Sequence, residues 1–297
     1  PLIFILSKFL RRSLLFLSQR VENIVVSPTM KVAQQAIEMK SQGIDIIDFS
    51  VGEPDFPTPE NIKEAAKRAI DSNFTKYTVN AGTIELRKAI AEKLKNDNFL
   101  DYTYKNIIVS NGAKHSVFNT IQSLVDNGDE VIIPTPYYVS YPEMVKIAQG
   151  DPIFIKTSED NNFKITPNQL KAAITPRTKL FILCSPSNPT GTVYTKSELE
   201  ELADVIENSN FYVLSDEIYE KIVYDNFQFT SIATLSNIIK SKTITINGHS
   251  KSYSMTGWRI GYTAAEENII NAINKYQSHS TSNASSISQA AALEALV

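Results

Sequence analysis

Short runs rich in β-branched and aromatic residues punctuate the chain from residue 106 onward, at 106–109 (NIIV), 130–133 (EVII), 152–155 (PIFI), 180–184 (LFILC), 211–214 (FYVL), 243–246 (TITI) and 258–262 (WRIGY). They predict seven strands. Helical segments fall between several of them, near 114–126, 138–148, 195–208 and 266–277. This β/α alternation predicts an α/β fold built on a mostly parallel seven-stranded sheet with helices on both faces. The strand runs are too continuously apolar for a sheet with one face in water. Ahead of the sheet, Val32, Ala33, Ala36 and Ile37 form one stripe of a helix over 29–42 that ends at Gly43, and 44–49 reads as a strand. Turn residues then crowd 52–59 (GEPDFPTP), where the prolines exclude regular helix and central strand. That loop is the seam between an N-terminal arm and the sheet. At the far end, Ile287, Ala290, Ala291, Leu293 and Leu296 keep helical spacing up to Val297 with no stop signal, which reads as a helix cut while still running. No internal repeat is present, which excludes a solenoid.

Composition narrows the class. With 297 residues, 42% hydrophobic and 21% charged, the chain is neither disordered nor a disulfide-stapled mini-protein. A net charge of -3 offers no electrostatic reason to bind nucleic acid. The single cysteine, Cys184, allows no internal disulfide and reads as a buried small hydrophobe, and His115, His249 and His279 are too scattered for a zinc site. No metal is expected, and a reducing, cytoplasmic setting is the default. Lys8, Arg11, Arg12 and Arg20 fall in the first 21 residues with no acid among them. Such a start resembles a transit peptide, although a leftover upstream segment has the same look and is preferred. The apolar run at 2–6 is far short of the roughly 20 residues of a membrane span.

The residues with chemical potential fall at particular places. Asn111, Gly112, Ala113 and Lys114 follow the first strand run, and 185–189 (SPSNP) follows 180–184. Asp216 and Tyr219 follow 211–214, and Ser250 and Lys251 follow 243–246. All lie just beyond strand carboxyl ends, which in an open parallel sheet share the edge where such folds put ligands. Gly112 and Ala113 open a helix whose free N–H groups and dipole favour an anion, most often phosphate. Arg259 has the fork to grip the same phosphate, or is a surface ion-pair partner. Singly, each residue has an ordinary reading: a strand-end cap for Asp216, a core aromatic for Tyr219, a turn for Asn188, a solvated side chain for Lys251. Joint placement on one sheet edge favours a site.

The ordered motifs SPSNPTG (185–191), SDEIY (215–219) and SKSYSMTGWRIG (250–261), with GEPDFPTP (52–59), TKYTVNAG (75–82), NGAK (111–114) and PYYVSYPEM (136–144), resemble the fold-type-I, class I pyridoxal-phosphate-dependent aminotransferases, on the bacterial aspartate aminotransferase branch. The resemblance covers about residues 20–297 and implies a role for each residue. Lys251 would carry the cofactor as a Schiff base and shuttle a proton. Asp216 would keep the pyridine nitrogen protonated. Tyr219 and Asn188 would bond the ring's phenolic oxygen, and Tyr138 would stack on the ring. Gly112, Ala113, Lys114, Ser250 and Arg259 would hold the phosphate. Tyr77 would reach the cofactor of a second copy, implying a homodimer. Gly52 would face the substrate carboxylate, with Tyr138 and Asn188 beside it, and 27–29 (SPT) would stand near the entrance. The substrates would be an amino acid, aspartate or glutamate, and a 2-oxo acid.

The same resemblance implies domain limits and a gap. Residues 1–20 would be an extension, 21–50 an arm belonging to a small domain, and 51–297 the large cofactor domain, with the rest of the small domain absent. The arginine that grips the substrate α-carboxylate belongs to that absent part in the family. Without it the stripe on the helix over 29–42 stays in water, at about 25 cal/mol per Å² of apolar surface, which predicts a chain prone to aggregate. Val25 stands where relatives often carry Lys, so recognition of a distal carboxylate is not implied. Three readings stay open at this level: an aminotransferase, a fragment that only binds the cofactor, or another reaction such as a lyase on the same cofactor.

Overall fold

The apolar runs from residue 106 onward become strands because the helices flanking them have an apolar face to press on them. The computed structural model describes residues 17–26 and 28–297. Residues 1–16 of the extension read over 1–20, and Ser27 of the SPT motif, lie outside the described residues. In chain order come α1 (Gln19–Glu22), α2 (Pro28–Ser41), α3 (Glu60–Asp71), α4 (Ile84–Asn98), β1 (Ile107–Ser110), α5 (Ala113–Leu124), β2 (Glu130–Thr135) and α6 (Ser140–Ile147). There follow β3 (Asp151–Lys156), α7 (Pro167–Ala173), β4 (Thr178–Cys184), α8 (Lys196–Glu207), β5 (Tyr212–Asp216), α9 (Asn237–Lys242), β6 (Thr243–Gly248), β7 (Gly261–Ala264), α10 (Glu267–Ser278) and α11 (Ser286–Glu294). Local chemistry sets several starts. Thr166 with Gln169 caps α7 and Thr195 with Glu198 caps α8, each pair satisfying backbone N–H groups that the first helical turn leaves unpaired.

The seven strands form one sheet in the order β1-β7-β6-β5-β4-β2-β3. The pairs β2–β3, β2–β4, β4–β5 and β5–β6 are parallel, and β7 runs antiparallel to both β1 and β6. The carboxyl ends of the six other strands therefore share one edge. Both faces are covered. Ile182, Leu214, Ile244 and Ile246 pack on one face against Val117 of α5, Val145 of α6 and Ile270 of α10. On the other face Phe181 and Val213 meet Leu170, Leu202 and Ile239, while Val109 and Tyr262 meet Leu86, Ile90 and Ala292. Burial on both sides explains why the strands read as continuous apolar runs.

Two predicted strands differ from what forms. Residues 44–49 have no regular structure, and Ile47 and Phe49 (91% exposed) lie in solvent: apolar residues alone make no strand without a neighbouring edge to satisfy the backbone. The run 258–262 starts pairing only at Gly261, because Thr256–Trp258 is a 3₁₀ turn and Arg259 is left-handed at φ 57°. The helix over 29–42 forms as α2 with Ala36 buried, while Val32 and Ile37 (67% exposed) face solvent.

Side-chain alternation along β5 and β6 sends Asp216 to the face of Leu214, and sends Glu217 and His249 to the opposite one. His249 is buried beside the rings of Tyr253 and Tyr262, and neither ring nitrogen has a hydrogen-bond partner. Burial is the main cause that pushes it down to about 4, with the Ala292 backbone opposing weakly. Burial likewise pushes the Glu217 carboxyl, which accepts from Ser231 Oγ at 2.6 Å, up to about 8. A depressed histidine contributes stability that is present above about pH 6.5 and is lost as pH falls through its folded value. Denaturant unfolding at pH 7 and pH 4 is expected to differ by about 3 kcal/mol from this group. His249→Phe, which keeps an aromatic ring but cannot charge, is expected to flatten that acid limb. An acid limb that is just as steep in His249→Phe contradicts the assignment.

Candidate active site

The shared carboxyl edge opens into a cleft of about 1180 Å³, far larger than a packing void. Nearly every residue singled out from the sequence lines it: Gly52, Ala113, Lys114, Tyr138, Asn188, Asp216, Tyr219, Ser250, Lys251 and Arg259.

One end is built for an anion. Gly112 caps α5 in a conformation that favours glycine, φ 90°, and an added Cβ would lie 2.4 Å from Arg259 Nη2. Gly261 is just as constrained, since its Cβ would meet Ala113 N at 2.3 Å. The first turn of α5 thus packs backbone to backbone against β7, and Ala113 and Lys114 line the cleft. Arg259 donates through Nη1 to Thr256 O at 2.8 Å and through Nη2 to Asn111 O at 3.4 Å, which sets the guanidinium beside the helix start. Among the described residues the arginines paired with carboxylates are Arg68 and Arg177; Arg259 has none. A guanidinium with no carboxylate partner beside a helix N-terminus has the chemistry that suits an anion.

The other end holds a buried acid. Tyr141 Oη donates to Asp216 Oδ2 at 2.6 Å and Ile218 N donates to Oδ1 at 3.4 Å. Burial pushes the Asp216 carboxyl up, and these two donors oppose it. Tyr219 Oη accepts from Asn188 Nδ2 at 3.4 Å, and burial, then the Asp216 charge, pushes the phenol up to about 12. Between the two ends stands Lys251, whose ammonium donates to the Gly52 carbonyl and lies 5.7 Å from the Tyr219 ring centre. Burial lowers the Lys251 pKa; Glu53 raises it and Arg259 lowers it. Lys114 Nζ sits 5.5 Å from the ring centre of Tyr138.

Several residues depart from their sequence reading or were missed. Cys184 is half-buried, packed against the core on one side and lining the cleft on the other, and burial, then the Asp216 charge, pushes its thiol up to about 12. Tyr77 is outside the cleft and 93% exposed. Its loop is nonetheless tied down: buried Gln277 donates to Asn80 O at 3.0 Å, and buried Gln289 accepts from Thr83 N at 2.8 Å and donates to Thr78 Oγ1 at 3.0 Å. Tyr141 and Glu53 were not singled out. The one signal for Tyr141 was its spacing of three from Tyr138.

No helix among the described residues is long and apolar enough to cross a membrane, and no group of metal-ligating side chains occurs among them.

The family profile described as aminotransferase class I and II matches residues 44–297. The aspartate aminotransferase of Bacillus sp. (strain YM-2) is 51% identical over 279 residues, which span 94% of this chain and 71% of that protein. The aspartate/prephenate aminotransferase of Cereibacter sphaeroides is 49% identical, over 95% of this chain and 70% of its own length. Among solved structures, the aspartate aminotransferase from Rhizobium meliloti superposes with a TM-score of 0.91 at 45% identity, covering 95% of this chain and 71% of that one. The Thermus thermophilus aspartate aminotransferase with maleate gives 0.92 at 43% identity, covering 96% and 73%.

Proposed function

The chain belongs to the class I and II aminotransferases, and from that premise we propose that it moves the amino group of aspartate or glutamate to a 2-oxo acid, with pyridoxal 5′-phosphate as its cofactor. The observation that carries the reading is the meeting of Lys251, Asp216 and the helix-start anion cup in one cleft. The residues fit that cofactor. A helix start where Gly112 and Gly261 leave no room for a Cβ, so that Arg259 free of carboxylates can lie against it, suits a phosphate, and a buried carboxylate suits a protonated ring nitrogen. The aspartate aminotransferase names of the relatives support a dicarboxylic donor.

When bound, pyridoxal phosphate supplies an aldehyde that condenses with amines and a ring that takes up the electron pair of a broken C–H bond. The protein does the rest. Gly112, Ala113, Ser250 and Arg259 bind the phosphate, with Lys114 as a further cation near it. Asp216 stays ionised to hold the ring nitrogen's proton. Asn188 and Tyr219 give hydrogen bonds to the phenolic oxygen, and Tyr138 covers one ring face. Lys251 Nζ would take the proton from the substrate α-carbon and deliver it to the C4′ carbon of the cofactor; a lysine of ordinary pKa stays charged at neutral pH and cannot accept it, so its lowered value has a chemical use. The Gly52 carbonyl, already bonded to that nitrogen, orients it. The backbone of Gly52, with Asn188 and Tyr138, contacts the substrate.

Residues 51–297 form the cofactor domain in this proposal and 21–50 an arm of a small domain, supported by a sheet lying wholly between Ile107 and Ala264. The working unit is a homodimer in which Tyr77 reaches the neighbouring cleft. An exposed tyrosine on a loop anchored by two buried glutamines supports it, because an anchored backbone has less freedom to lose when a partner binds.

The test is direct. The protein is titrated with pyridoxal phosphate by absorbance, and oxaloacetate is then measured after L-aspartate and 2-oxoglutarate are added. Saturable binding and oxaloacetate formation are expected. Failure to bind the cofactor overturns the proposal, and binding without oxaloacetate reduces it to a cofactor-binding domain.

A further inference from the structure

We propose that Tyr141 is a positioning residue that locks the Asp216 carboxylate and the Tyr138 ring into one rigid unit, so that the acid and the stacking face meet the cofactor ring together. The inference rests on the cofactor reading above and adds to it a cleft-wall residue that acts through Asp216 and Tyr138.

Tyr141 stands in the first turn of α6 and is 2% exposed. Three contacts tie it down. Its Oη donates to Asp216 Oδ2 at 2.6 Å. Its backbone N–H donates to Tyr138 O at 3.0 Å. Its ring meets the Tyr138 ring edge-on, with centres 5.4 Å apart and planes at 82°. A phenol has one proton and an ionised carboxylate only accepts, so the direction of the first bond is forced. With Oδ2 held by Tyr141 and Oδ1 approached by Ile218 N, the carboxylate cannot rotate about its terminal bond without losing a donor in a buried setting. The lone pairs left over are directed by the protein, which is the requirement for pre-organised electrostatics.

Cys184 is the neighbour that also meets the Tyr141 hydroxyl. The groups that titrate around Asp216 are Tyr141 from α6, Cys184 from β4 and Tyr219 from the turn after β5. The Cys184 thiol donates to Pro186 O at 3.4 Å, and Tyr219 is engaged with Asn188. Burial pushes the Tyr141 phenol well above its ordinary value, so it remains a donor through the working pH range.

The decisive comparison is pyridoxal phosphate binding to the cofactor-free chain as a function of pH, read by absorbance, in the wild type and in Tyr141→Phe. Phenylalanine keeps the ring packing and deletes only the donor. Affinity is expected to fall about tenfold, the usual size of a lost hydrogen bond to a charged group. The acid limb of binding is expected to move to higher pH, because a carboxylate without this donor protonates sooner. A fluorotyrosine installed at the same position keeps the hydroxyl, makes it a stronger donor, and is expected to move the limb to lower pH. That second protein decides the matter if Tyr141→Phe does not fold, as judged by circular dichroism. Wild-type affinity and an unmoved acid limb in Tyr141→Phe, or an unmoved limb in the fluorotyrosine protein, overturn the inference. Absence of binding in the wild type overturns the cofactor reading itself, so the two failures are distinct.

Discussion

Lys251→Ala is expected to lower oxaloacetate formation from aspartate about ten-thousand-fold or more, while leaving the melting temperature nearly unchanged. Two functions vanish with one side chain: the amine that holds the cofactor covalently and the base that moves the α-proton, and a positioned base by itself is worth about a hundred- to ten-thousand-fold. The fold has little at stake there. The Lys251 side chain is half-buried at the cleft wall, and its one hydrogen bond goes to Gly52 O in a segment without regular structure. Dialysis is expected to strip pyridoxal phosphate from the variant and not from the wild type after washing at the same dilution. Retained turnover within tenfold of the wild type would remove Lys251 from the chemistry.

Asp216→Asn is the second large effect, about a hundred- to a thousandfold in kcat. Asparagine preserves shape and its one oxygen still accepts from Tyr141 Oη, leaving its amide facing the Ile218 N–H, so what is lost is that long 3.4 Å contact and, above all, the negative charge that keeps a ring nitrogen protonated. A buried carboxylate whose pKa is raised by burial costs stability in the empty protein. The variant is therefore expected to melt at the same temperature or higher while turning over poorly, a stability–activity trade-off that a structural acid would not show. A destabilised protein with normal turnover would make Asp216 a structural group.

Much of the fold was legible because its signals are local. The apolar runs 130–133, 180–184 and 243–246 sit inside strands a residue or two longer at their ends, and α8 starts one residue beyond the predicted 195 because Thr195 is its cap. The site was legible for a different reason. Residues just past strand ends are brought to one edge by parallel topology, whatever the packing details. Where pairing is non-local, the reading failed. Residues 44–49 have strand composition but no edge to join, and the run 258–262 looked continuous although Arg259 breaks it in a left-handed turn. Cys184 looked like core because the rest of β4 is core; it is the last residue of the strand and therefore faces the cleft.

The sequence by itself determined the α/β alternation and the placement of Gly112, Asp216 and Lys251 just beyond strand ends, since each depends on residue type and on spacing within a few positions, while the roles proposed for the amine and the acid came from the resemblance of the ordered motifs. Only the tertiary structure decided that β7 would enter antiparallel between β1 and β6, that Arg259 would fold back onto Gly112, and that Tyr141 would bond a carboxylate 75 residues away. These contacts join segments far apart in the chain, and the free energy that selects them comes from packing and desolvation, which no local window of residues contains.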